Sequence, residues 1–368
     1  MPNIIDYVKW RGDISFETSP FNEIDGLIFA ELSYIPFDKI IENNQRGESL
    51  CDLAKKFFSL PDQDTRLGAI IPEVDIKELF NLTSKSVRFS SVKLKNYVNC
   101  FSRIEEKQFC GMTFVVDKNN ICIAFRGTDD TLVGWKEDFN MALNIPIPSQ
   151  TEAVNYVNSV GFRTRVHIYL CGHSKGGNLA TYAGIFANER VKKRIVNIFD
   201  FDGPGFRTDF LKGLSLSDVS LKIRKAVPQA TIIGAIYDSV VEPIYVKSSA
   251  KGLYQHDAFK WEILGNSFVC VEALDKSSKD FHDLLNSWTL SMSSEERTEF
   301  VEALFRLVTV NESATLSDIA SDKFKFLLGI LKSDGHTKKV FLSAINRLIK
   351  EKYFKKDNKN AEISDKIK

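Results

Sequence analysis

Residues Gly172-His173-Ser174-Lys175-Gly176 set a serine between two glycines, after a strand-like run and ahead of a helix-like one. The run 166–171 is apolar and β-prone. Residues 177–185 are rich in small side chains, and Leu179, Tyr182 and Phe186 fall at helical spacing. A serine on a sharp strand-to-helix turn is lifted clear of the sheet with its hydroxyl exposed. Glycines flank it because side chains would collide in so tight a bend. The competing reading is a glycine-rich turn whose serine caps a helix. The strand before and the helix after favour a nucleophile.

A serine hydroxyl is a weak nucleophile at neutral pH. It needs an adjacent base, a carboxylate to orient that base, and donors for the developing oxyanion. Where the nucleophile sits on such a turn, the chain order is serine, acid, histidine. That order limits the base to His256, His282 or His336. His256 lies in a loop, 253–258, ahead of an apolar run at 259–263 that reads as a strand. Loops at sheet ends are where catalytic side chains are displayed, so His256 is the expected base. His282 and His336 fall in helical or turn segments. His173 is expected to point away from the hydroxyl, and His167 reads as an ordinary strand histidine.

Two aspartates compete for the acid. Asp238 follows the apolar run 232–237, which reads as a strand, and is the favoured choice. Asp202 follows the run 195–201 and is the alternative acid. It also reads as a turn residue in Asp202-Gly203-Pro204-Gly205. The oxyanion hole is assigned to the main chain of Lys175, whose side chain is expected in solvent, and to Thr128 through its N–H and its hydroxyl. Arg126 reads as a structural ion-pair partner.

The elements that must position these groups alternate. Residues 20–60 read as largely helical. Strands are expected at 110–117 and 121–125, a helix at 149–160, a strand at 166–171, a helix to about residue 193, and further strands at 195–200, 230–236 and 259–263. This alternation predicts an α/β class chain with a mostly parallel, doubly wound sheet. The segment 205–229 reads as a crossover helix, with a lid as the other possibility. From about residue 274 strand signals vanish. Ser293-Ser294-Glu295-Glu296 opens a helix, and others are expected at 321–332 and 337–352. The expected organisation is a hydrolase-type domain over 1–273, a helical appendage over 274–355 and a flexible tail over 356–368.

Bulk properties bound the partners. The 368 residues carry 49 basic and 48 acidic side chains, so no nucleic-acid or polyanion partner is implied. No apolar window is long enough for a transmembrane helix, and the N-terminus lacks a secretory signal pattern. The 6 cysteines are scattered without a C-x-x-C, which argues against zinc and against a disulfide framework. A reduced, cytoplasmic protein is expected. Oligomeric state is not set by the sequence.

Together these pieces resemble the class 3, fungal-type lipase branch of the α/β-hydrolases. The likeness rests on Ala124-Phe125-Arg126-Gly127-Thr128, on Trp135 and Asp138, on Gly172–Ala180, and on Phe201-Asp202-Gly203-Pro204-Gly205. More closely, the chain resembles an uncharacterised bacterial family of lipase-like α/β-hydrolases. Its marks are Asp25-Gly26-Leu27 leading to Leu32-Ser33-Tyr34, the Gly172–Gly177 turn, and Gln255-His256-Asp257 before Trp261. The resemblance covers roughly residues 20–270. It implies an α/β-hydrolase fold, a Ser174–Asp238–His256 triad and an oxyanion hole at Thr128 and Lys175. Around Asp238 the chain departs from the lipase form Asn-Asp-x-Val-Pro. The expected activity is cleavage of carboxylic esters, small or lipid, with no metal or organic cofactor. An acyltransferase and a non-catalytic binding protein are the alternatives on the same fold.

Overall fold

The strand Asn120–Phe125 shows how the sequence builds the fold. Ile121, Ile123 and Phe125 enter one buried cluster, whereas Cys122 and Ala124 enter another. Successive strand side chains point to opposite faces, so a strand buried on both sides must separate two cores. The structure is a computed structural model that describes residues 1–61, 73–129, 132–143, 145–309 and 333–367.

The strands are β1 (Glu48–Ser49), β2 (Lys93–Ser102), β3 (Lys107–Val115), β4 (Asn120–Phe125), β5 (His167–His173), β6 (Ile195–Phe201), β7 (Ile223–Pro228), β8 (Ile244–Val246), β9 (Ile263–Leu264), β10 (Ser267–Phe268) and β11 (Cys270–Val271). Among the described residues, one nine-stranded sheet runs β1-β2-β3-β4-β5-β6-β7-β8-β11. β4 through β8 are parallel, and both edges are antiparallel. The helices before the sheet's centre are α1 (Ile4–Arg11), α2 (Glu23–Leu32), α3 (Leu50–Ser59), α4 (Glu73–Lys85), α5 (Leu132–Leu143) and α6 (Pro148–Phe162). After it come α7 (Lys175–Phe186), α8 (Glu189–Lys192), α9 (Thr208–Lys212), α10 (Ser217–Ser220), α11 (Lys276–Leu290), α12 (Ser294–Thr309) and α13 (Gly335–Ile367). α2 covers one face, where Leu27, Ile28 and Phe29 pack with Phe114 and Phe199. α6 and α7 cover the other, where Val157, Leu179 and Ala183 meet Ile123, Leu170 and Ile198. This is an α/β-hydrolase fold with helices on both faces of a mostly parallel sheet and further helices at the C-terminal end.

α2 is fixed at its start by a capping box. Asn22 Oδ1 accepts from the N–H groups of Ile24 and Asp25, and Asp25 Oδ2 accepts from Asn22 N–H. The same carboxylate receives Arg88 Nε at 2.8 Å, Arg88 Nη2 at 2.5 Å and the Tyr7 hydroxyl at 3.1 Å. Both ionic side chains are fully buried. Burial, then the neighbouring Asp25, pushes the Tyr7 phenol up to about 12.

Two expected strands and the expected crossover segment need correction. Residues 230–236 form turns, not a strand, and Ile232 is partly exposed. The strand is β7, inside the segment expected as crossover or lid, and α9 and α10 make up the rest of that connection. β7 was hidden by its charges. Lys225 is buried, and its ammonium donates to Asp200 Oδ2 at 2.8 Å and to Gly203 O. Residues 259–263 are not a continuous strand either. A 3₁₀ turn takes Ala258–Lys260, Trp261 makes an isolated bridge to Ser248, and Ile263–Leu264 pairs with Ser267–Phe268. A short apolar run reads alike as strand or buried turn, so periodicity could not separate them.

The C-terminal helices have their own cluster of Trp288, Phe300, Phe305 and Phe341. α12 meets α5 through Lys136–Glu302 at 2.7 Å and Phe139 against Phe305. The expected helix at 321–332 lies outside the described residues. α13 continues through the segment whose composition read as a tail, reaching Ile367. Among the described residues, no helix is long and apolar enough to cross a membrane.

Removing one partner of a buried ion pair strands the other charge. Asp25→Ala is therefore expected to destabilise the protein by about 3–5 kcal/mol, measured by denaturant unfolding. A loss no larger than that of a surface substitution would show that Arg88 finds another partner.

Candidate active site

The end of β5 and the start of α7 meet at Ser174, whose φ is 58° and ψ −132°. Non-glycine residues rarely hold that conformation, and here it turns the chain sharply from strand into helix. The flanking glycines are required by contact. A Cβ on Gly172 would sit 2.1 Å from the Gly176 carbonyl carbon, and one on Gly176 would sit 2.1 Å from the Phe125 oxygen. Ser174 N–H donates to Phe201 O at 2.9 Å, and Ser174 O accepts from Gly177 N–H at 2.9 Å. Ser174 is partly exposed amid buried neighbours.

The first of these bonds ties the serine turn to the end of β6, and the next residue is Asp202. It too takes a positive φ, 51°, which bends the chain off the sheet. Its carboxylate is fully buried and receives three donors. His256 Nδ1 lies 2.6 Å from Oδ2, while Thr231 Oγ1 at 2.5 Å and Gly234 N–H at 3.1 Å donate to Oδ1. The serine turn and Asp202 thus adjoin at the C-terminal ends of β5 and β6, and Asp202 carries the contact to His256.

Asp238, the favoured acid from sequence, is elsewhere. Its carboxylate takes the Thr208 hydroxyl and lies 3.5 Å from His282 Nε2. His282 in turn places its Nδ1 2.9 Å from Ala235 O. Asp238 and His282 therefore join the loop after β7 to α11. Residues 232–237 are bends and turns rather than a strand, so Asp238 is not carried on a strand end.

His256 closes a 3₁₀ turn, Gly252–His256, and is nearly buried. The Trp261 indole donates to Gln255 O at 2.8 Å. His173 Nε2 lies 2.8 Å from His256 O, and the two imidazoles meet at a tilt of 31° with centroids 4.5 Å apart. His173 thus faces the chain of His256, and its ring is fully buried. Burial, then the nearby His256, holds it well below the usual histidine range.

The loop after β4 lies against the serine turn. A Cβ on Gly127 would be 3.2 Å from Ser174 Cβ. The next residue, Thr128, is buried, and its hydroxyl donates to Asp138 Oδ2 at 2.5 Å. That bond removes the hydroxyl from the expected oxyanion donors and leaves the N–H. Lys175 N–H is at the first turn of α7, where helix geometry provides no intrahelical acceptor. The Lys175 side chain is not in solvent, contrary to expectation. It is buried, and its ammonium donates to Gln108 O at 2.8 Å, Gln108 Oε1 at 2.7 Å and Glu137 Oε2 at 3.1 Å. Glu137 also receives the N–H groups of Gln108 and Ser149. Arg126 donates to Asn99 Oδ1 at 2.9 Å.

The sheet order and the helices on both faces define the class, an α/β-hydrolase fold. The chain belongs to the Mbeg1-like family, whose profile matches residues 83–306. Solved structures similar to it include M37 lipase, 11% identical over 65% of this chain and 89% of that one, with a TM-score of 0.39. The Rhizomucor miehei lipase propeptide complex is 14% identical over 61% and 67%, with a TM-score of 0.38. A fungal lipase–inhibitor complex is 13% identical over 61% and 77%, also at 0.38. No curated protein matches the chain in sequence.

Burial raises the Asp138 carboxyl from 3.8 to about 6, against the opposing pull of Lys175 and the Thr128 hydroxyl. A carboxyl with a raised folded pKa costs stability once it ionises, and the cost grows as pH rises from the unfolded value through the folded one. Asp138→Asn removes the ionisation and keeps an acceptor for Thr128. Its stability relative to wild type is expected to rise across this pH interval and level off above about 6. Parallel unfolding curves at several pH values check this, and a pH-independent difference would contradict it.

Proposed function

We propose that this chain is a serine hydrolase of carboxylic esters, with Ser174 as nucleophile, His256 as general base and acid, and Asp202 as the orienting carboxylate. The observation that carries the reading is the 2.6 Å contact between His256 Nδ1 and Asp202 beside a serine held at φ 58°. A proton on Nδ1, donated to Asp202, leaves the Nε2 lone pair free to take a proton.

In this mechanism Ser174 Oγ attacks the ester carbonyl, and its proton passes to His256 Nε2. The carbonyl π-bond opens, and the oxyanion is held by the main-chain N–H groups of Thr128 and Lys175. Collapse of the tetrahedral intermediate breaks the ester C–O bond, and the alcohol leaves with the proton from His256. A water then gives a proton to His256 and adds to the acyl carbon. Release of the carboxylic acid returns that proton to Ser174.

The test is direct. A fluorophosphonate should label the wild type, and Ser174→Ala should abolish both labelling and hydrolysis of p-nitrophenyl esters. Asp202→Asn is expected to lower kcat by about 10⁴-fold through the wrong histidine tautomer, while Asp238→Asn should leave it near wild type. The reverse order would transfer the acid role back to Asp238. A correctly folded wild type that neither labels nor cleaves any ester of graded acyl length would sink the hydrolase reading.

A further inference from the structure

Beneath the site lies a pair of groups that the proposed mechanism does not use. Glu31, on the last turn of α2, is fully buried. Neither of its carboxyl oxygens has a hydrogen-bond partner. His173 Nδ1 is likewise buried without one, and it lies 3.4 Å from Glu31 Oε1. The other nitrogen of the same ring faces the His256 carbonyl at 2.8 Å. A carbonyl oxygen only accepts, so His173 Nε2 must carry a proton. In the neutral ring Nδ1 is then a lone pair, and it faces Glu31.

We propose that Glu31 acts through His173 as a positioning residue for His256. As a carboxylic acid it donates O–H to His173 Nδ1, and His173 donates Nε2–H to the backbone carbonyl of His256. This chain of two donors fixes the tautomer and rotation of the His173 ring. That ring packs at a tilt against the His256 imidazole at 4.5 Å and holds its main chain. The inference rests on the reading of His256 as the base.

The alternative charge state is an ion pair, Glu31 carboxylate with His173 imidazolium. Burial argues against it from both sides. It lifts the Glu31 carboxyl well above its ordinary range, with Asp257 adding to the lift, and it depresses His173. A fully enclosed ion pair with few other hydrogen bonds recovers little of the solvation its charges lose. A neutral acid facing a neutral imidazole incurs no such loss. The arrangement also explains why a glutamate lies among Leu27, Ile28 and Leu32 on a helix that otherwise builds core. A buried acid without other partners is tolerated where it has an acceptor to donate to.

The test combines nitrogen NMR with kinetics. In protein labelled with ¹⁵N-histidine at neutral pH, His173 should show an unprotonated Nδ1 and a protonated Nε2. Two protonated nitrogens would overturn the proposal. Glu31→Gln keeps a donor and should hold both the tautomer and kcat. Glu31→Met has similar length but no donor. It should move the His173 Nδ1 resonance and lower kcat by up to about 100-fold through misplacement of His256, with KM little changed. Unchanged kcat in a folded Glu31→Met protein would refute the positioning role. Should that variant fail to fold, the wild-type tautomer and Glu31→Gln still decide. A wild type unlabelled by fluorophosphonate would instead count against the hydrolase reading, leaving the His173 tautomer to be judged by NMR alone.

Discussion

The strained turn at Ser174 is the constraint on which the site depends. A non-glycine residue at positive φ costs on the order of 1–3 kcal/mol, and such strain persists only where the surroundings over-determine it. Here the surroundings are specific. Ser174 N–H is held by Phe201 O, its carbonyl is used by Gly177, and the two neighbouring glycines let β4 and α7 approach to contact. The same bond to Phe201 sets the distance from the serine to Asp202, which follows Phe201 directly. A second bend at positive φ then turns Asp202 toward His256. Two bends on neighbouring parallel strands thus face each other, and the loop bearing His256 closes over them.

Around these bends and at the start of α2 the protein buries charged side chains in pairs. Lys175 with Glu137, Lys225 with Asp200, and Arg88 with Asp25 are ion pairs removed from solvent, and each has further hydrogen bonds. Buried pairs seldom add net stability, because desolvation offsets the attraction. Their contribution is geometric. Lys175 fastens the first turn of α7 to β3 and α5. Lys225 draws β7 to the end of β6. Arg88 holds the start of the helix whose other end reaches His173. Asp138, on the same helix as Glu137, fixes the Thr128 hydroxyl and so the loop that faces the serine.

Much of this was legible in the chain. The strand, the serine turn and the helix after it were readable because glycine spacing, β-branched residues and small helical residues agree with one another at residues 166–186. The loop setting read for His256 agrees with the 3₁₀ turn Gly252–His256 that carries it. Asp238 was misread for a definable reason. The run 232–237 is as apolar as a strand, but it is turned by Gly234, whose N–H is committed to Asp202 and Thr231. The true strand, β7, carries Arg224 and Lys225, an unstrandlike pattern locally, and Lys225 is accommodated in the interior by Asp200 on the neighbouring strand. The Lys175 side chain was misplaced for the same cause. A lysine after a serine turn reads as solvent-facing unless the distant Glu137 is known to be beneath it.

The sequence by itself determined which residue types exist for the chemistry, their order, and the local turn that exposes Ser174, because turn geometry and periodicity are properties of near neighbours. Only the tertiary structure decided which aspartate meets His256 and what supports His173 and Lys175. Those contacts join segments far apart in the chain, and their partners are selected by sheet order and burial, which no local pattern encodes.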